Sequence, residues 1–460
     1  MRAVLDRHGC DAQIWITEAG YSTWRHDEAR QAAAYVQLRE APVERFYWYA
    51  LQDLAEDVAV QEGPRFDQRH YHLGLYDAKG RPKLLARLLA QGGTDAVETV
   101  LAQAHPAPTL CRTHPVLVTG GAGFIGANLA HRLAHEGEHV LILDNLARPG
   151  VERNLAWLRT HHPRRLSVAL ADLRDREALA GATTDATSVF HLAAQTAVTT
   201  SLDDPMEDFA VNLGATVSLL EALRARRVPL VFASTNKVYG DLADVALARS
   251  GEAWLPTDAD IRRHGIGEDR PISLHTPYGC SKGAADQYVL DYARSFDVPT
   301  AVLRMSCIYG PRQFGTEDQG WVAHFLIRAL EGRPIAIFGD GRQVRDVLYV
   351  DDAVSAYLAV RREIGQLRGQ AFNLGGGADN AVSLMQVLRE IERLTGRPVA
   401  IEYGVWRRGD QRWYVSDTRR LYRAVGLSPP VDWRIGLQRL ATWLRRDEGA
   451  DEAAPLAEAV

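Results

Sequence analysis

Between Pro115 and about residue 305, short runs of apolar residues alternate with stretches whose apolar positions recur at helical spacing. The runs predict six strands, at residues 116–119, 139–143, 166–170, 188–194, 230–234 and 300–304. Helical spacing predicts two long helices, over 205–226 and 278–294. Strands that alternate with helices in this way indicate an α/β fold, with a doubly wound parallel sheet that helices cover on both faces.

The first 95 residues repeat this alternation on a smaller scale. Residues 12–18 and 45–51 predict two strands, and helical spacing follows at 27–39 and from residue 82. Two glycines, three prolines and little periodicity between residues 91 and 115 predict a linker, which we set at 96–114. The small and acidic residues 448–460 predict a disordered tail. We therefore expect an N-terminal segment (1–95), this linker, a main domain (115–447) and the tail.

Composition narrows the class of protein. The chain is 46% hydrophobic and 24% charged, with a net charge of −5, so nothing favours nucleic acid or an acidic membrane surface as a partner. Its four cysteines include no close pair with metal-ligand spacing, so we expect reduced thiols and no metal site. The sequence also lacks a signal-like N-terminus and an apolar run of the roughly 18 residues that cross a bilayer. A cytoplasmic protein is the expectation.

A glycine motif carries the first chemical signal. Gly120, Gly123 and Gly126 follow an apolar run and open a helical stretch. They suit, in turn, a sharp turn, close approach of a pyrophosphate and helix–strand packing, while the first N–H groups of the helix face the phosphates. Asp144 ends the next apolar run, where an acid binds the ribose hydroxyls of NAD and repels the 2′-phosphate of NADP. The alternative is a glycine-rich loop that binds nothing.

Two further motifs indicate proton transfer. Tyr278 and Lys282 are four residues apart, which places them on one helical face, and an ammonium beside a phenol lowers the pKa of the phenol. Thr235 follows the fifth predicted strand, where its hydroxyl can bond a substrate alcohol. The alternatives are an exposed tyrosine–lysine pair and an ordinary turn or cap residue.

Arginines in the second half of the chain indicate a phosphate site. Arg345 lies in a loop that ends in Asp351 and Asp352, and Arg408 lies in a second arginine-rich loop. Because arginine binds phosphate oxygens bidentately, two such loops suit a diphosphate. Solvent-exposed arginines, and acids that cap a helix starting near Ala353, are the alternatives.

Taken together, these motifs resemble the extended short-chain dehydrogenase/reductases, and among them the NAD-dependent epimerase/dehydratase family that acts on nucleotide sugars. The resemblance covers Pro115 to about Arg446 and implies a Rossmann-type sheet, with an NAD-binding core mainly at 115–305 and a smaller C-terminal substrate-binding part mainly at 306–447. It implies that NAD is held by Gly120, Gly123, Phe124, Ile125, Gly126, Asp144, Asn145, Asp172, Leu173, Ala193, Tyr278 and Lys282. It implies Thr235, Tyr278 and Lys282 as catalytic residues, with Tyr278 as the base. Substrate would be bound by Thr235, Gln313, Gln319, Trp321, Arg345 and Arg408.

The phrases around Thr235, Tyr278, Gln313 and Asp410 most resemble the subgroup of 2-epimerases that convert CDP-paratose to CDP-tyvelose. This resemblance implies inversion of C2 through transient oxidation by tightly bound NAD, in a homodimer or homotetramer. Related 4,6-dehydratases place Asp-Glu after the threonine, where this chain has Asn236 and Lys237. A 4-epimerase, a 2-epimerase acting on another nucleotide sugar, and a protein that binds NAD or a sugar nucleotide without turnover remain open.

The N-terminal segment has a resemblance of its own. The phrases at 15–23 and 74–83 resemble the last two β-α units of a glycosidase (β/α)8 barrel, in which the acid at the position of Glu18 is the nucleophile. Glycoside hydrolysis normally requires two carboxylates across the bond, and two units cannot close a barrel. We therefore expect a structural appendage and no glycosidase activity.

Overall fold

A computed structural model gives the structure of the chain and describes residues 2–55, 68–104, 114–407 and 409–451. The N-terminal unit, residues 2–104, comprises the helices α1 (Arg2–Arg7), α2 (Glu28–Arg39) and α3 (Leu84–Gln103), with the strands β1 (Trp15–Ala19) and β2 (Arg45–Trp48). β1 and β2 are parallel. On one face of this pair, Phe46 and Trp48 pack edge to face on Tyr35 of α2. On the other, Trp15 and Tyr47 are exposed.

The main sheet begins where the glycine motif predicts it. In chain order its first half contains β3 (Val116–Thr119), α4 (Phe124–His135), β4 (Val140–Asp144), α5 (Val151–His161), β5 (Leu166–Leu170), α6 (Arg176–Thr183) and β6 (Ser188–His191). The helices α7 (Val198–Asp203), α8 (Pro205–Phe209) and α9 (Ala215–Arg224) follow, and then β7 (Leu230–Thr235). A π-helical turn, Ala210–Gly214, joins α8 to α9 within the stretch predicted as one helix.

The second half of the chain completes this sheet and adds smaller ones. Its elements are β8 (Leu247–Ser250), β9 (Ala253–Pro256), α10 (Ala259–His264), α11 (Thr276–Ser295), β10 (Thr300–Met305), β11 (Cys307–Tyr309), α12 (Trp321–Leu330), β12 (Ile335–Phe338), β13 (Val344–Tyr349), α13 (Val350–Arg362), α14 (Ile364–Leu367), β14 (Gln370–Leu374), β15 (Ala381–Ser383), α15 (Leu384–Thr395), β16 (Ile401–Gly404), β17 (Trp413–Tyr414), α16 (Arg419–Val425) and α17 (Trp433–Asp451).

The strand order places the functional edge. The main sheet has seven parallel strands in the order β14-β10-β7-β6-β3-β4-β5. The chain starts at β3 and extends first through β4 and β5, then returns to the other side of β3 with β6 and β7. Ligands bind at such a switch point, outside the carboxyl ends of the strands. The fold class expected from the sequence, a Rossmann-type doubly wound sheet, is therefore confirmed.

A smaller C-terminal part lies beyond this edge. β13 pairs with β11, β15 and β17, and β12 pairs with β16. The second core of this part forms between α12, α15 and α17, with Phe325, Leu388 and Leu437 buried in it. The apolar faces of these helices thus give the smaller C-terminal part a core of its own.

Several details differ from the sequence prediction. β14 is a seventh strand that the pattern did not predict, at the edge beside β10. Residues 96–103, expected in the linker, form the second half of α3, while 105–113 lie outside the described residues. α17 extends to Asp451, so the predicted tail begins as helix, and its residues 452–460 also lie outside the described ranges. Among the helices described, none is long and apolar enough to cross a membrane.

Candidate active site

The glycine turn after β3 forms a cradle that side chains would fill. Gly120 has φ +69°, and a Cβ on it would lie 2.7 Å from the backbone nitrogen of Ala193. A Cβ on Gly126 would lie 2.1 Å from the carbonyl oxygen of Gly120. Gly123 is the N-cap of α4, so the backbone N–H groups of Phe124 and Ile125 form the first turn of that helix. The turn, the close approach and the helix N-terminus fit a pyrophosphate.

Two carboxylates lie at the ends of the neighbouring strands. Asp144 accepts hydrogen bonds from the backbone N–H of Ala122 at 2.9 Å and of Leu146 at 2.8 Å. The Asn145 side chain donates to Asp172 at 2.8 Å, which links the ends of β4 and β5. Burial raises the pKa of Asp144, although these backbone bonds oppose the rise. The arrangement fits the adenosine half of NAD, because ribose hydroxyls and an adenine amino group are donors that such acids accept.

Asp172 is held in place by Arg174. The guanidinium donates to both carboxylate oxygens, from Nε at 2.9 Å and from Nη2 at 3.0 Å. Burial alone would raise the pKa of Asp172, but the hydrogen bonds and charge of Arg174 outweigh it and lower that pKa. The neighbouring Leu173 is buried, and the backbone N–H of Ala193 donates to Thr119. The adenosine-side residues expected from the resemblance therefore share one edge of the sheet.

Tyr278 and Thr235 meet at the other half of the crevice. Thr235 lies close enough to Tyr278 to act on the pKa of its phenol, although the two residues come from the end of β7 and the start of α11. Burial raises the pKa of Tyr278, the Thr235 hydroxyl and the Arg148 guanidinium lower it, and Asp208 raises it. A phenol beside a hydroxyl at a strand end can take a proton from a bound alcohol and return it.

Lys282 does not act on Tyr278 in the way expected from their spacing. Its Nζ donates to the carbonyl oxygen of Ala233 at 2.7 Å and lies 4.2 Å from the ring centroid of Phe232. Burial lowers the pKa of Lys282 to about 7. The cation whose charge favours the Tyr278 phenolate is Arg148, four residues after Asp144. The sequence predicted that Lys282 lowers the pKa of Tyr278. This prediction was wrong, because the ammonium bonds the backbone of β7 instead.

A polar network contacts the backbone of Tyr278, because the Ser281 hydroxyl donates to the Tyr278 carbonyl at 3.2 Å. Ser281 and Asn212 both donate to Asp208, and Asn212 also donates to Ser281 at 3.2 Å. Asn212 lies in the π-helical turn, which leaves its side chain aimed at α11. Sequence reasoning missed Asn212 and Arg148. The position of Arg148 in the loop after Asp144 was an available signal, whereas the π turn has none in the sequence.

Two of the expected substrate residues, Gln313 and Trp321, contact neighbouring positions of β11. The indole of Trp321 donates to the Cys307 sulfur at 3.3 Å, and the Gln313 amide donates to the Ile308 carbonyl at 3.2 Å. Burial raises the pKa of Cys307, and the nearby charges of Arg345 and Lys237 lower it. These contacts place the segment containing Gln313 and Trp321 against β11, whose partner strand β13 contains Arg345.

The two glutamines expected to bind substrate, Gln313 and Gln319, have amide oxygens that accept no hydrogen bond from any described residue. Within the part of the chain that the structure describes, the amide oxygens of Gln313 and Gln319 are buried and have no hydrogen-bond partner. A buried acceptor left without a donor costs free energy, so such oxygens suit the N–H or O–H groups of a ligand.

Arg345 lies in the strand β13 and not in the loop that the sequence predicted, and it contacts the second arginine-rich segment. Arg345 donates from Nη2 to Asp410 at 2.7 Å and to the carbonyl of Gln411 at 2.6 Å. Lys237, which the sequence flagged only as a departure from the dehydratases, donates to the Gly409 carbonyl at 3.2 Å. Burial lowers the pKa of Lys237, although Asp410 opposes that shift. Arg408 lies outside the described residues.

Among the described residues, no group of three or more His, Cys, Asp and Glu side chains could hold a metal ion. The donor set of the crevice instead fits NAD. Backbone N–H groups lie at the pyrophosphate position, two carboxylates lie on the adenosine side, and the Tyr278–Thr235 pair lies on the nicotinamide side.

Comparison with known proteins agrees with this geometry. Residues 116–375, more than half of the chain, match the model of the NAD dependent epimerase/dehydratase family. A CDP-paratose 2-epimerase of Salmonella typhi is 39% identical over 344 residues, which is 71% of this chain and 98% of the relative.

Solved structures resemble the chain as well. The UDP-glucose 4-epimerase of Thermus thermophilus in complex with NAD is 32% identical, with a TM-score of 0.60 over 72% of this chain and 99% of its own. The UDP-glucose 4-epimerase of Thermotoga maritima with UDP-glucose is 30% identical, with a TM-score of 0.62 over 73% of this chain and 99% of its own.

Proposed function

The chain belongs to the NAD dependent epimerase/dehydratase family, and from that premise we propose that it inverts C2 of a CDP-sugar, converting CDP-paratose to CDP-tyvelose. The family makes it an NAD-dependent nucleotide-sugar epimerase. What we propose beyond that is inversion at C2 and a cytidine nucleotide in the substrate. The similarity to the Salmonella typhi CDP-paratose 2-epimerase supports both, since it extends over nearly the whole of that relative.

The observation that carries the proposal is the loop after Thr235. Asn236 is buried and accepts a hydrogen bond from Thr235, and Lys237 is bonded to the Gly409 carbonyl. An amide and an ammonium at these positions supply no carboxyl pair for the loss of water from a sugar. The loop therefore favours epimerisation over dehydration, and its Thr-Asn-Lys sequence favours the 2-epimerase subgroup.

The proposed roles follow from the contacts. NAD, when bound, supplies a reversible acceptor for the hydrogen on the sugar carbon, whose C–H is not acidic. Tyr278 takes the proton of the hydroxyl on that same carbon and returns it after the sugar has presented its other face. Thr235 bonds that hydroxyl and orients it toward the phenol, while Arg148 stabilises the phenolate. Lys282, fixed by the Ala233 carbonyl, positions the cofactor's ribose.

The C-terminal part would bind the nucleotide. Arg345, held by Asp410, supplies one side of the diphosphate site, and Arg408 is proposed for the other. The unused amide oxygens of Gln313 and Gln319 would accept donors of the sugar and nucleoside, next to the Trp321 ring.

Exposed apolar side chains support the proposal of a homodimer or homotetramer. Leu202, Met206 and Phe209 are exposed on α7 and α8, and Tyr288 is exposed on α11. α11 packs against both shorter helices, so the four side chains belong to neighbouring surfaces. Light scattering of the purified chain tests the proposal, and a monomer would contradict it.

Product analysis tests the proposed reaction. The purified chain is incubated with CDP-, UDP- and GDP-sugars, including CDP-paratose, and the products are assigned by NMR. We expect inversion at C2 and the highest kcat/KM for CDP-paratose. Inversion at C4 with C2 unchanged would identify a 4-epimerase, and C2 inversion of another sugar nucleotide would replace the proposed substrate. Bound nucleotide with no turnover would identify a binding protein.

A further inference from the structure

The N-terminal unit shares a core with the NAD-binding domain. Leu84, Leu85 and Leu88 of α3 are buried in the same apolar cluster as Leu155 and Leu158 of α5. Val97 and Val100, in the second half of α3, belong to it as well. Because one continuous apolar cluster extends from α3 into α5, separating the unit from the domain would expose apolar surface to water.

Polar contacts attach the same unit along one side of the domain. The Arg87 guanidinium donates to the carbonyl of Leu146 at 2.9 Å, in the loop directly after Asp144. Lys79 forms an ion pair with Asp204 at 2.6 Å, between α7 and α8, and Arg81 lies 3.5 Å from the same carboxylate.

The loop contacted by Arg87 holds the ribose-side carboxylate. The backbone N–H of Leu146 donates to Asp144, and the carbonyl of the same residue accepts from Arg87. The N-terminal unit is therefore one residue removed from the acid expected to bind the adenosine ribose. Movement of Arg87 would be transmitted to Asp144 through Leu146.

A small cavity marks the place where the unit meets the strand ends. One half of its wall comes from the N-terminal unit and the other half from the ends of β4 and β5: His26, Glu28, Ala29 and Leu84, facing Asn145, Leu170, Ala171 and Asp172. Asn145 and Asp172 are the residues expected around adenosine. Burial lowers the pKa of His26. The charge of Arg174 lowers it further, and the charge of Asp172 opposes the shift.

We propose that the N-terminal unit is a built-in cover that completes the adenosine end of the NAD site and slows release of the cofactor. The shared core holds the cover, Arg87 fixes the ribose loop, and His26 and Glu28 close the space beside Asp172. Retention suits an epimerase, since its cofactor ends each turnover in the oxidation state in which it began. The proposal depends on NAD binding and is independent of which sugar carbon is inverted.

Cofactor exchange in the full-length protein tests the cover. Protein loaded with NAD is mixed with excess isotopically labelled NAD, and the bound label is followed by mass spectrometry. Loss of one charged hydrogen bond corresponds to roughly tenfold, so Arg87→Ala should exchange NAD about ten times faster than the unchanged chain. Adding Lys79→Glu and Arg81→Glu should accelerate exchange further.

The matched control is Arg45→Ala, which removes an arginine of the same unit that lies over the exposed Trp15 ring. It should exchange at the unchanged rate. Equal rates in the control and the triple variant would overturn the proposal.

Hydrogen exchange of the unchanged chain gives a second test that requires no variant. Amides of residues 84–88 and 146 should exchange more slowly with NAD bound than after its removal, and identical protection would overturn the cover. A chain that binds no NAD would overturn it together with the cofactor assignment. A C4-inverted product would overturn only the proposed reaction.

Discussion

Two places in this chain carry a similar local pattern, a parallel strand with an acidic residue at or near its end, followed by a helix. In the N-terminal unit, Glu18 lies near the end of β1 and is exposed, and β2 is the partner of that strand. In the main sheet, Asp144 ends β4, which pairs with β3 on one side and β5 on the other. The carboxylate of Asp144 is fixed by two backbone N–H groups.

The difference is one of surroundings. The residues of β1 remain at least partly exposed, whereas Val140–Leu143 of β4 are all buried between helices. A parallel strand normally needs cover on both faces, and the ends of adjacent strands form a crevice only when several lie side by side. An acid at a strand end therefore becomes a ligand-binding group only where the sheet around it is complete.

The largest contrast should come from removing one phenolic hydroxyl in each region. Tyr278→Phe deletes the proposed base, and general base catalysis contributes about 10²–10⁴-fold, so turnover should fall by about 10³-fold or more. Tyr47→Phe, on the exposed face of β2, should leave turnover unchanged. Product NMR gives the rates, and the nucleotide released on denaturation should show that Tyr278→Phe retains NAD. A fully active Tyr278→Phe enzyme would remove the assigned base.

A second contrast compares two helical glycines. The Cβ of Gly126→Ala would meet the Gly120 carbonyl at 2.1 Å, so we expect a loss of about 3 kcal/mol or more in the free energy of unfolding. A Cβ on Gly365, in α14, has nothing within 4 Å, so Gly365→Ala should be neutral or stabilising by about 0.5 kcal/mol. Denaturant titrations measure both. Equal stabilities would show that the glycine turn is not as tight as the structure has it.

The two strand-end acids offer a direct test of the comparison. Asp144→Asn weakens the acceptor for the ribose hydroxyls, so NAD affinity should fall about 10–100-fold, the range expected for a hydrogen bond to a charged group. Glu18→Gln should change neither NAD binding nor turnover. The unchanged chain should release no dye from aryl glycosides. Calorimetry measures NAD affinity, and an aryl-glycoside assay measures dye release. Release of dye that depends on Glu18 would support glycosidase activity in the N-terminal unit.

A further expected effect is on the pH dependence of stability. His191 of β6 bonds Thr119 and Thr216, and burial lowers its pKa to about 3 from an ordinary 6.5. Between these values the unfolded chain binds a proton that the folded chain does not, so stability falls as the pH decreases, by about 1.4 kcal/mol per pH unit from this residue.

Removal of the buried imidazole isolates this contribution. His191→Gln should flatten the decline in unfolding free energy between pH 6 and pH 4, relative to the unchanged chain. His8→Gln, an exposed histidine of the N-terminal unit, should leave the decline as it is. Parallel curves for His191→Gln and the unchanged chain would contradict the lowered pKa.

Much of the main sheet was predictable because each of its strands carries its own signal. The run at 166–170 became β5 with the same bounds, and the run at 230–234 became β7 with one further residue. β14 escaped prediction because Gln370–Leu374 is a short edge strand with polar positions, and it is identified only by pairing with β10. The π turn at Ala210–Gly214 keeps helical spacing, so the pattern cannot reveal it.

The sequence alone determined the glycine turn, the strand-end acid and the Tyr278–Lys282 spacing, because each depends on residues that are close along the chain. Only the tertiary structure decided which groups meet at the base: Arg148 and Asp208 come from other elements, and Lys282 turns to the backbone of β7. It also decided that the N-terminal unit lies beside Asp172, more than 60 residues beyond α3 in the sequence. The electrostatic environment of a buried group depends on burial and on partners distant in sequence, and no local pattern encodes either.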